Sequence, residues 1–221
     1  MPDTAAILPV KHVLSAKSRL SPALSEAERQ LLFAALVEDT LERLANCLAL
    51  AAIYVITSDE RVGQLASAHG MEVAPEPDSE PSHSAAARYG AVLAAGDGFK
   101  RVAMVAADCP FADAEAFAQL VSAHEREQVA LTVAVDAAGT GTNALVIEPP
   151  LAVHPAFGTG SFERHMQLGE QSGGGAVFNS EALMFDIDTP ADLQRLVEDR
   201  DRAGSAVRAV LASDKFQAVS A

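Results

Sequence analysis

The chain is poor in cysteine, in long apolar runs and in positive charge, and each shortage removes a class of protein. Two cysteines, Cys47 and Cys109, in 221 residues do not build a disulfide framework and point to a reducing compartment. No apolar run approaches the ~18 residues that a membrane span needs, and the N-terminus lacks the basic, apolar, small-residue order of a secretory signal. The expectation is a soluble cytoplasmic protein with no membrane partner. Sixteen Lys and Arg against thirty Asp and Glu give a net charge of −14. A field of that sign repels a polyphosphate backbone, so nucleic acid is not expected as a partner. One small anion remains admissible, because it needs only a local cluster of cations, backbone N–H groups and a metal. What the chain does have is apolar residues, 49% of the total, enough for the core of one substantial α/β domain.

Apolar runs and helical periods alternate along the first 135 residues. Ala5 to Val10 reads as a first strand. Ser25 and Glu28 form a capping box for a helix to about Asn46, with Leu32, Phe33, Leu36, Val37, Leu41 and Leu44 on its period. Ala52 to Ile56 is a second strand, followed by a helix to about His69 and a short strand from Met71 to Ala74. Pro75 to Pro81, with three prolines and three acids, is a loop. A helix from Ser84 to Ala95 follows. The continuous apolar run Arg101 to Ala107 fits a central strand buried on both faces. A helix from about Asp113 to Glu127 and a strand from Val129 to Val135 complete the alternation, which predicts a mostly parallel sheet with helices on both faces. Beyond it come a strand from Ala144 to Ile147, a short helix from Ser161 to Leu168, a strand ending at Asp186, and a helix from Pro190 to about Arg202. Without repeats, low-complexity linkers or a sharp boundary, residues 1–221 read as one domain, with a core of 1–202 and an Ala-rich tail of 203–221.

Ligands of open α/β sheets gather at the carboxyl ends of the strands, and three features fall there. The loop after the first strand carries Lys11, His12, Ser15, Lys17, Ser18 and Arg19. It holds three of the sixteen basic residues and no acid, although it lacks the Gly-rich pattern of a P-loop. Asp108 ends the central strand, where an acid is costly unless solvated, paired or bound to a cation; the alternative is a cap or turn residue before Pro110. Asp186 and Asp188, two apart, point to one face of extended backbone. They repel each other unless they share a cation, and hard divalent ions such as Mg²⁺ favour such oxygen ligands. The alternative is that Asp188 or Thr189 merely caps the helix that Pro190 opens. Three acids and a basic loop together favour Mg²⁺ and a triphosphate. Gly139 to Asn143 offers N–H groups and hydroxyls to an anion, or else is a tight turn. Ser161 starts a helix whose N-terminus suits an anion, with Arg164 and His165 one turn in. Cys109 reads as a small packed side chain.

Five segments in order carry a resemblance. They are Ala-Lys-Ser-Arg-Leu at 16–20, Ala-Asp-Cys-Pro at 107–110, Gly-Thr-Gly-Thr-Asn-Ala-Leu at 139–145, Phe-Gly-Thr-Gly-Ser-Phe-Glu-Arg-His at 157–165 and Asp-Ile-Asp-Thr-Pro-Ala-Asp-Leu at 186–193. From Ile7 to Leu196 the chain resembles the 2-phospho-L-lactate guanylyltransferase family of deazaflavin coenzyme F-420 biosynthesis. The resemblance implies a nucleotidyltransferase fold related to the sugar-nucleotide pyrophosphorylases. It also implies a Mg²⁺-dependent reaction that joins GMP from GTP to the phosphate of a small acid and releases pyrophosphate. The acid would be 3-phosphoglycerate, 2-phospho-L-lactate or phosphoenolpyruvate, and the product would pass to a transferase acting on the deazaflavin precursor. Carried over by position, Asp108, Asp186 and Asp188 are the metal ligands. Lys17, with Lys11 and Arg19, faces the triphosphate, and Lys17 is counted with the catalytic residues. Thr142, Gly158 and Ser161 contact the phospho-acid. A homodimer is left open.

Two positions depart from the family pattern. Where the family has Leu-Asn beside the nucleotide, this chain has Ser82-His83, so His83 stands at the base contact. Where it has Leu after the metal-binding Asp, this chain has Cys109, and the smaller side chain favours the bulkier 3-phosphoglycerate. The competing readings are a nucleotidyltransferase for another phosphorylated acceptor and a non-catalytic nucleotide-binding protein.

Overall fold

The computed structural model describes residues 3–11, 17–77, 82–213 and 216. His12 and Ser15 of the basic loop lie outside them. Seven strands form one sheet: β1 (Thr4–Pro9), β2 (Ala52–Ile56), β3 (Glu72–Ala74), β4 (Arg101–Val105), β5 (Leu131–Val135), β6 (Thr142–Ile147) and β7 (Gly175–Phe178). Their order is β3-β2-β1-β4-β6-β5-β7. All pairings are parallel except those of β6, which runs antiparallel between β4 and β5. Because β6 is reversed, its first residues, Thr142 and Asn143, lie at the same edge as the carboxyl ends of the other strands.

The apolar runs are continuous because both faces are covered. In β1, Ala6 and Leu8 join one core cluster with α1 (Glu26–Ala45) and α4 (Ala114–Glu127), while Ala5 and Ile7 join the other, under α3 (His83–Gly96). This is the alternation that strand geometry imposes. Gly90 lets α3 lie directly on the sheet, since a Cβ there would collide with Ile7 and press on Ile56. The Ser25–Glu28 capping box forms as expected at the start of α1. The helix after β2, α2 (Glu60–Ala68), is started by Asp59, whose carboxylate accepts from the N–H groups of Arg61 and Val62.

Two late elements differ from expectation. The apolar run Leu183 to Phe185 does not end a strand. Residues Glu181–Met184 form a helical turn, α6, and the ladder partner of β5 is the earlier segment β7. Leu183 and Phe185 are buried all the same, because the turn drops them onto the end of the sheet, where Phe185 stacks on Phe111 with centroids 4.9 Å apart. A short apolar run is compatible with either element, and here packing decides. The helix α5 (Ser161–Ser172) is four residues longer than expected and stops at Gly173, whose φ of 118° suits glycine.

The chain closes with α7 (Pro190–Glu198) and α8 (Ser205–Leu211). The tail is not separate from the core over these residues. Asp39, buried on α1, accepts from the N–H groups of Ala206 at 2.9 Å and Val207 at 3.0 Å, so a side chain 167 residues away caps α8. Among the described residues no helix is long and apolar enough to cross a membrane.

Candidate active site

A cleft of about 1000 Å³ opens at the carboxyl edge of the sheet. The candidate residues Lys11, Lys17, Arg19, His83, Asp108, Thr142, Gly158, Ser161, Asp186 and Asp188 all line it. Their convergence follows from topology. β1 and β4 are neighbours, so the loop after β1 meets the end of β4, and the α6–α7 connection crosses the same edge.

Asp108 lies three residues past the end of β4, and the N–H of Ile187 donates to its carbonyl at 3.1 Å, which fastens the 186–188 segment near that strand end. Ile187 is buried, so the side chains on either side of it turn to the cleft. The carboxylates of Asp108, Asp186 and Asp188 each offer an oxygen within 4.8 Å of the others. Lys17 Nζ lies 2.5 Å from Asp108 and 3.0 Å from Asp188, and Arg19 reaches Asp188 at 3.3 Å. The capping alternatives resolve here. Thr189 caps α7 and Asp192 completes the box, while Asp113 caps α4. Asp188 and Asp108 are thereby left to the cleft.

The electrostatics of the trio are uneven. Burial opposes charge on Lys17 and on Asp108, but each outweighs that cost for the other, so the lysine pKa stands above its ordinary value and that of Asp108 below. Among the described residues Asp186 has no ion pair, and Lys17 acts on it only weakly. Burial, and then the neighbouring Asp108, push its pKa up to about 6, although the Asn143 amide relieves it in part. An all-oxygen donor set with one carboxylate short of positive charge fits a hard divalent cation.

Residues not expected from the sequence hold this edge in shape. Asn143 Nδ2 donates to the carbonyl of Leu183 at 2.9 Å, that of Met184 at 3.3 Å and Asp186 Oδ1 at 3.3 Å. It ends α6 and orients an acid with one amide. Arg43, on α1, donates to the carbonyls of Cys109 at 3.5 Å and Pro110 at 2.8 Å. No spacing in the sequence links these residues to the acids; only the fold brings them together.

On the other side of the cleft lies the N-terminus of α5. Its N-cap, Gly160, has a φ of 71° and makes no side-chain cap among the described residues; the N–H groups of Ser161 and Phe162 donate instead to the carbonyls of Gly158 at 3.0 Å and Thr140 at 3.1 Å. Ser161 is 2% exposed, and its hydroxyl has no partner among the described residues. Neither Arg164 nor His165 lines the cleft. Arg164 donates to the carbonyls of Ala156, Phe157 and Thr159 and clamps its own loop. His165 is wholly buried, and burial, then Arg164, push its pKa down to about 4. The Gly139–Asn143 segment behaves as a turn. The N–H of Thr140 donates to Asp136 at 2.9 Å, and Gly141 leaves room for that carboxylate. Its far end, Thr142 and Asn143, already belongs to β6, and Thr140, Thr142 and Asn143 all line the cleft. His83 is held edge-on against Phe157, with centroids 4.9 Å apart; its ring nitrogens have no hydrogen-bond partner among the described residues. Burial lowers its pKa, so it meets a ligand as a neutral imidazole at neutral pH.

Comparison with known proteins decides the family. The family model described as "Guanylyl transferase CofC like" matches residues 4–206. The chain belongs to that family. It is 35% identical over 195 residues to a phosphoenolpyruvate guanylyltransferase of Sphaerobacter thermophilus, covering 87% of this chain and 92% of the relative. It is 34% identical over 209 residues to a protein of the same name from Nocardia farcinica, covering 93% and 89%. Among solved structures, a putative nucleotide-diphospho-sugar transferase from Desulfovibrio desulfuricans superposes with a TM-score of 0.71 at 16% identity, covering 98% of this chain and 94% of that one. A nucleotidyl transferase from Methanothermobacter superposes at 0.66 with 15% identity, covering 90% and 98%. These two show the fold, an α/β nucleotidyltransferase architecture.

Within this CofC-like chain the two departures from the family pattern have different surroundings. Cys109 does not line the cleft. It is buried in the core, with Sγ 3.6 Å from the carbonyl of Leu183, so its small size makes no room for an acid. His83 does line the cleft, at the first position of α3.

Proposed function

We propose that this protein transfers GMP from GTP to the phosphate of a small phosphorylated acid, phosphoenolpyruvate first among the three candidates, with release of pyrophosphate. The product would serve deazaflavin coenzyme F-420 biosynthesis and pass to the transferase that acts on the deazaflavin precursor. The observation that carries the reading is the meeting, in one cleft, of three carboxylates and Lys17 on one side and the Thr142 and Ser161 hydroxyls at the start of β6 and α5 on the other. The first group suits a metal-bound triphosphate and the second suits the acceptor anion. The names of the curated relatives favour phosphoenolpyruvate, and the packing of Cys109 removes the steric argument for 3-phosphoglycerate.

In this reading an oxygen of the acceptor phosphate attacks the α-phosphorus of GTP. The new P–O bond forms as the bond to the β-phosphate bridging oxygen breaks, and the electron pair leaves with pyrophosphate. The acceptor phosphate is already ionised, so no strong general base is required, and positioning and charge neutralisation carry the rate. Lys11, Lys17 and Arg19 would meet the triphosphate, His83 the base, and Thr142, Gly158 and Ser161 the acceptor. Asp108, Asp186 and Asp188 would hold Mg²⁺, which when bound neutralises charge on the phosphates. The two free, buried cysteines suit a cytoplasmic setting for a single-domain enzyme. Mass spectrometry of the products after incubation with GTP, Mg²⁺ and each acid separately tests the reading. A guanylylated phosphoenolpyruvate is expected, and absence of pyrophosphate release with all three acids overturns it.

A further inference from the structure

His165 sits one turn into α5, wholly buried, and the reaction described above does not use it. Its two ring nitrogens face groups of different kinds. Nε2 lies 2.8 Å from the backbone nitrogen of Ala156, and Nδ1 lies 2.9 Å from the hydroxyl of Thr142. The Ala156 N–H can only donate, so Nε2 must present a bare lone pair. A neutral imidazole carries one proton, and that proton is therefore on Nδ1. A doubly protonated ring would set N–H against N–H at Ala156. Nδ1–H then donates to Thr142 Oγ1. A hydroxyl has two lone pairs and one proton. Thr142 has one lone pair engaged by His165 and no other side-chain partner among the described residues, so its proton is left for whatever occupies the cleft.

We infer that His165 is a positioning residue that makes Thr142 a hydrogen-bond donor toward an anionic oxygen of the acceptor acid. This rests on the assignment of Thr142 to the acceptor under the proposed function. Were the bond reversed, Thr142 would donate to Nδ1 and show only lone pairs to the cleft, which repel a carboxylate or phosphate. The Ala156 N–H excludes that arrangement. The same ring fixes the start of the 156–160 loop, and Phe157 packs edge-on against it at 5.1 Å. The acceptor side of the cleft and the direction of the Thr142 hydroxyl are thus set by one buried tautomer.

Two substitutions separate the two nitrogens. His165→Asn keeps an amide N–H near the Nδ1 position and loses the acceptor at Nε2. His165→Gln places an amide oxygen near Nε2 and leaves Nδ1 empty. With phosphoenolpyruvate as acceptor, H165Q raises the KM for the acid about tenfold and leaves the KM for GTP within about twofold, while H165N holds the acid KM within about threefold of wild type. Thr142→Val raises the acid KM as H165Q does, and combining the two adds no further loss. Nitrogen-15 NMR of the wild-type ring finds Nδ1 protonated and Nε2 bare between about pH 6 and 8. An Nε2–H tautomer, equal KM increases for both substrates in H165Q, or additive losses in the double variant overturns the inference. Should the wild type turn over none of the three acids, the proposed function is what fails, and the tautomer still decides how His165 directs Thr142. The same spectrum decides it if a variant does not fold.

Discussion

Lys17 and Asp108, 91 residues apart, meet at 2.5 Å across the carboxyl edge of the sheet. The pair joins the loop after β1 to the end of β4 and places a buried cation among three carboxylates. Charge balance in the cleft depends on this pairing, and the first two predictions follow from it.

Asp108→Asn removes the carboxylate that faces Lys17 and one oxygen donor of the acidic trio. Pyrophosphate release is expected to fall by at least about a hundredfold, the scale set by losing one charge-stabilising group at a reacting phosphate. Lys17 keeps Asp188 as a partner at 3.0 Å, so the far-ultraviolet circular dichroism spectrum should be that of the wild type. Activity within about threefold of wild type would remove Asp108 from the proposed machinery.

Lys17→Met leaves Asp108, Asp186 and Asp188 facing one another with Arg19 at the rim. The thermal midpoint without divalent ions should drop, because three half-buried acids lose their shared counter-charge. Added Mg²⁺ should then raise that midpoint more than it does for wild type, since ligand binding to the folded state alone is stabilising. Calorimetry with and without Mg²⁺ reads both effects. An equal Mg²⁺ response in variant and wild type contradicts the shared role of Lys17 and a cation.

Asn143→Ala strips the donor from two carbonyls at the end of α6 and from Asp186. The expected loss is about 1–3 kcal/mol of stability, because buried acceptors lose their partner. Turnover should fall as well, because Asp186 is no longer held. A variant with wild-type turnover and lowered stability would confine Asn143 to a structural role.

Asp39→Ala uncaps α8, which is outside the cleft. The cost is expected at about 1–2 kcal/mol, the range for a carboxylate cap with dipole assistance. For a chain of this size that lowers the thermal midpoint by about 2–8 °C. Turnover at low temperature should be unaffected, and a midpoint that does not move counts against the cap.

Stability should also fall with acid through two buried histidines. Burial and Arg101 hold His124 at about 4, and burial and Arg164 hold His165 at about 4. Each titrates near 6.5 when the chain is unfolded. Between those values the unfolded state binds more protons than the folded state, so unfolding free energy declines as pH drops. The contribution is complete above about pH 6.5 and gone below about 4, with each histidine worth on the order of 3 kcal/mol. His124→Asn keeps a donor toward Thr132 and removes one titration. Denaturant melts at stepped pH should give a shallower decline for that variant, and a parallel decline would discard His124 as a source.

The sequence by itself determined the α/β class, most element positions and the identity of the acids, because these rest on short-range rules. Apolar runs bounded by turns gave β2 at its observed limits, and the Ser25–Glu28 box set the start of α1. Motif order was enough to name Asp108, Asp186, Asp188, Thr142 and Ser161. Tertiary structure alone decided where those groups lie and what they touch. It turned Leu183–Met184 into part of a helical turn where an apolar run permitted a strand. It gave the capping of α7 to Thr189 and left Asp188 to Lys17. It carried Cys109 into the core, kept Arg164 and His165 out of the cleft lining, and brought Asn143 and Arg43 to the strand ends. Apart from the Thr189 cap and the loop contacts of Arg164, none of this is local. The rest depends on where β6 reverses and which strands are neighbours, and hydrogen-bond partners separated by scores of residues are fixed only when the sheet has formed.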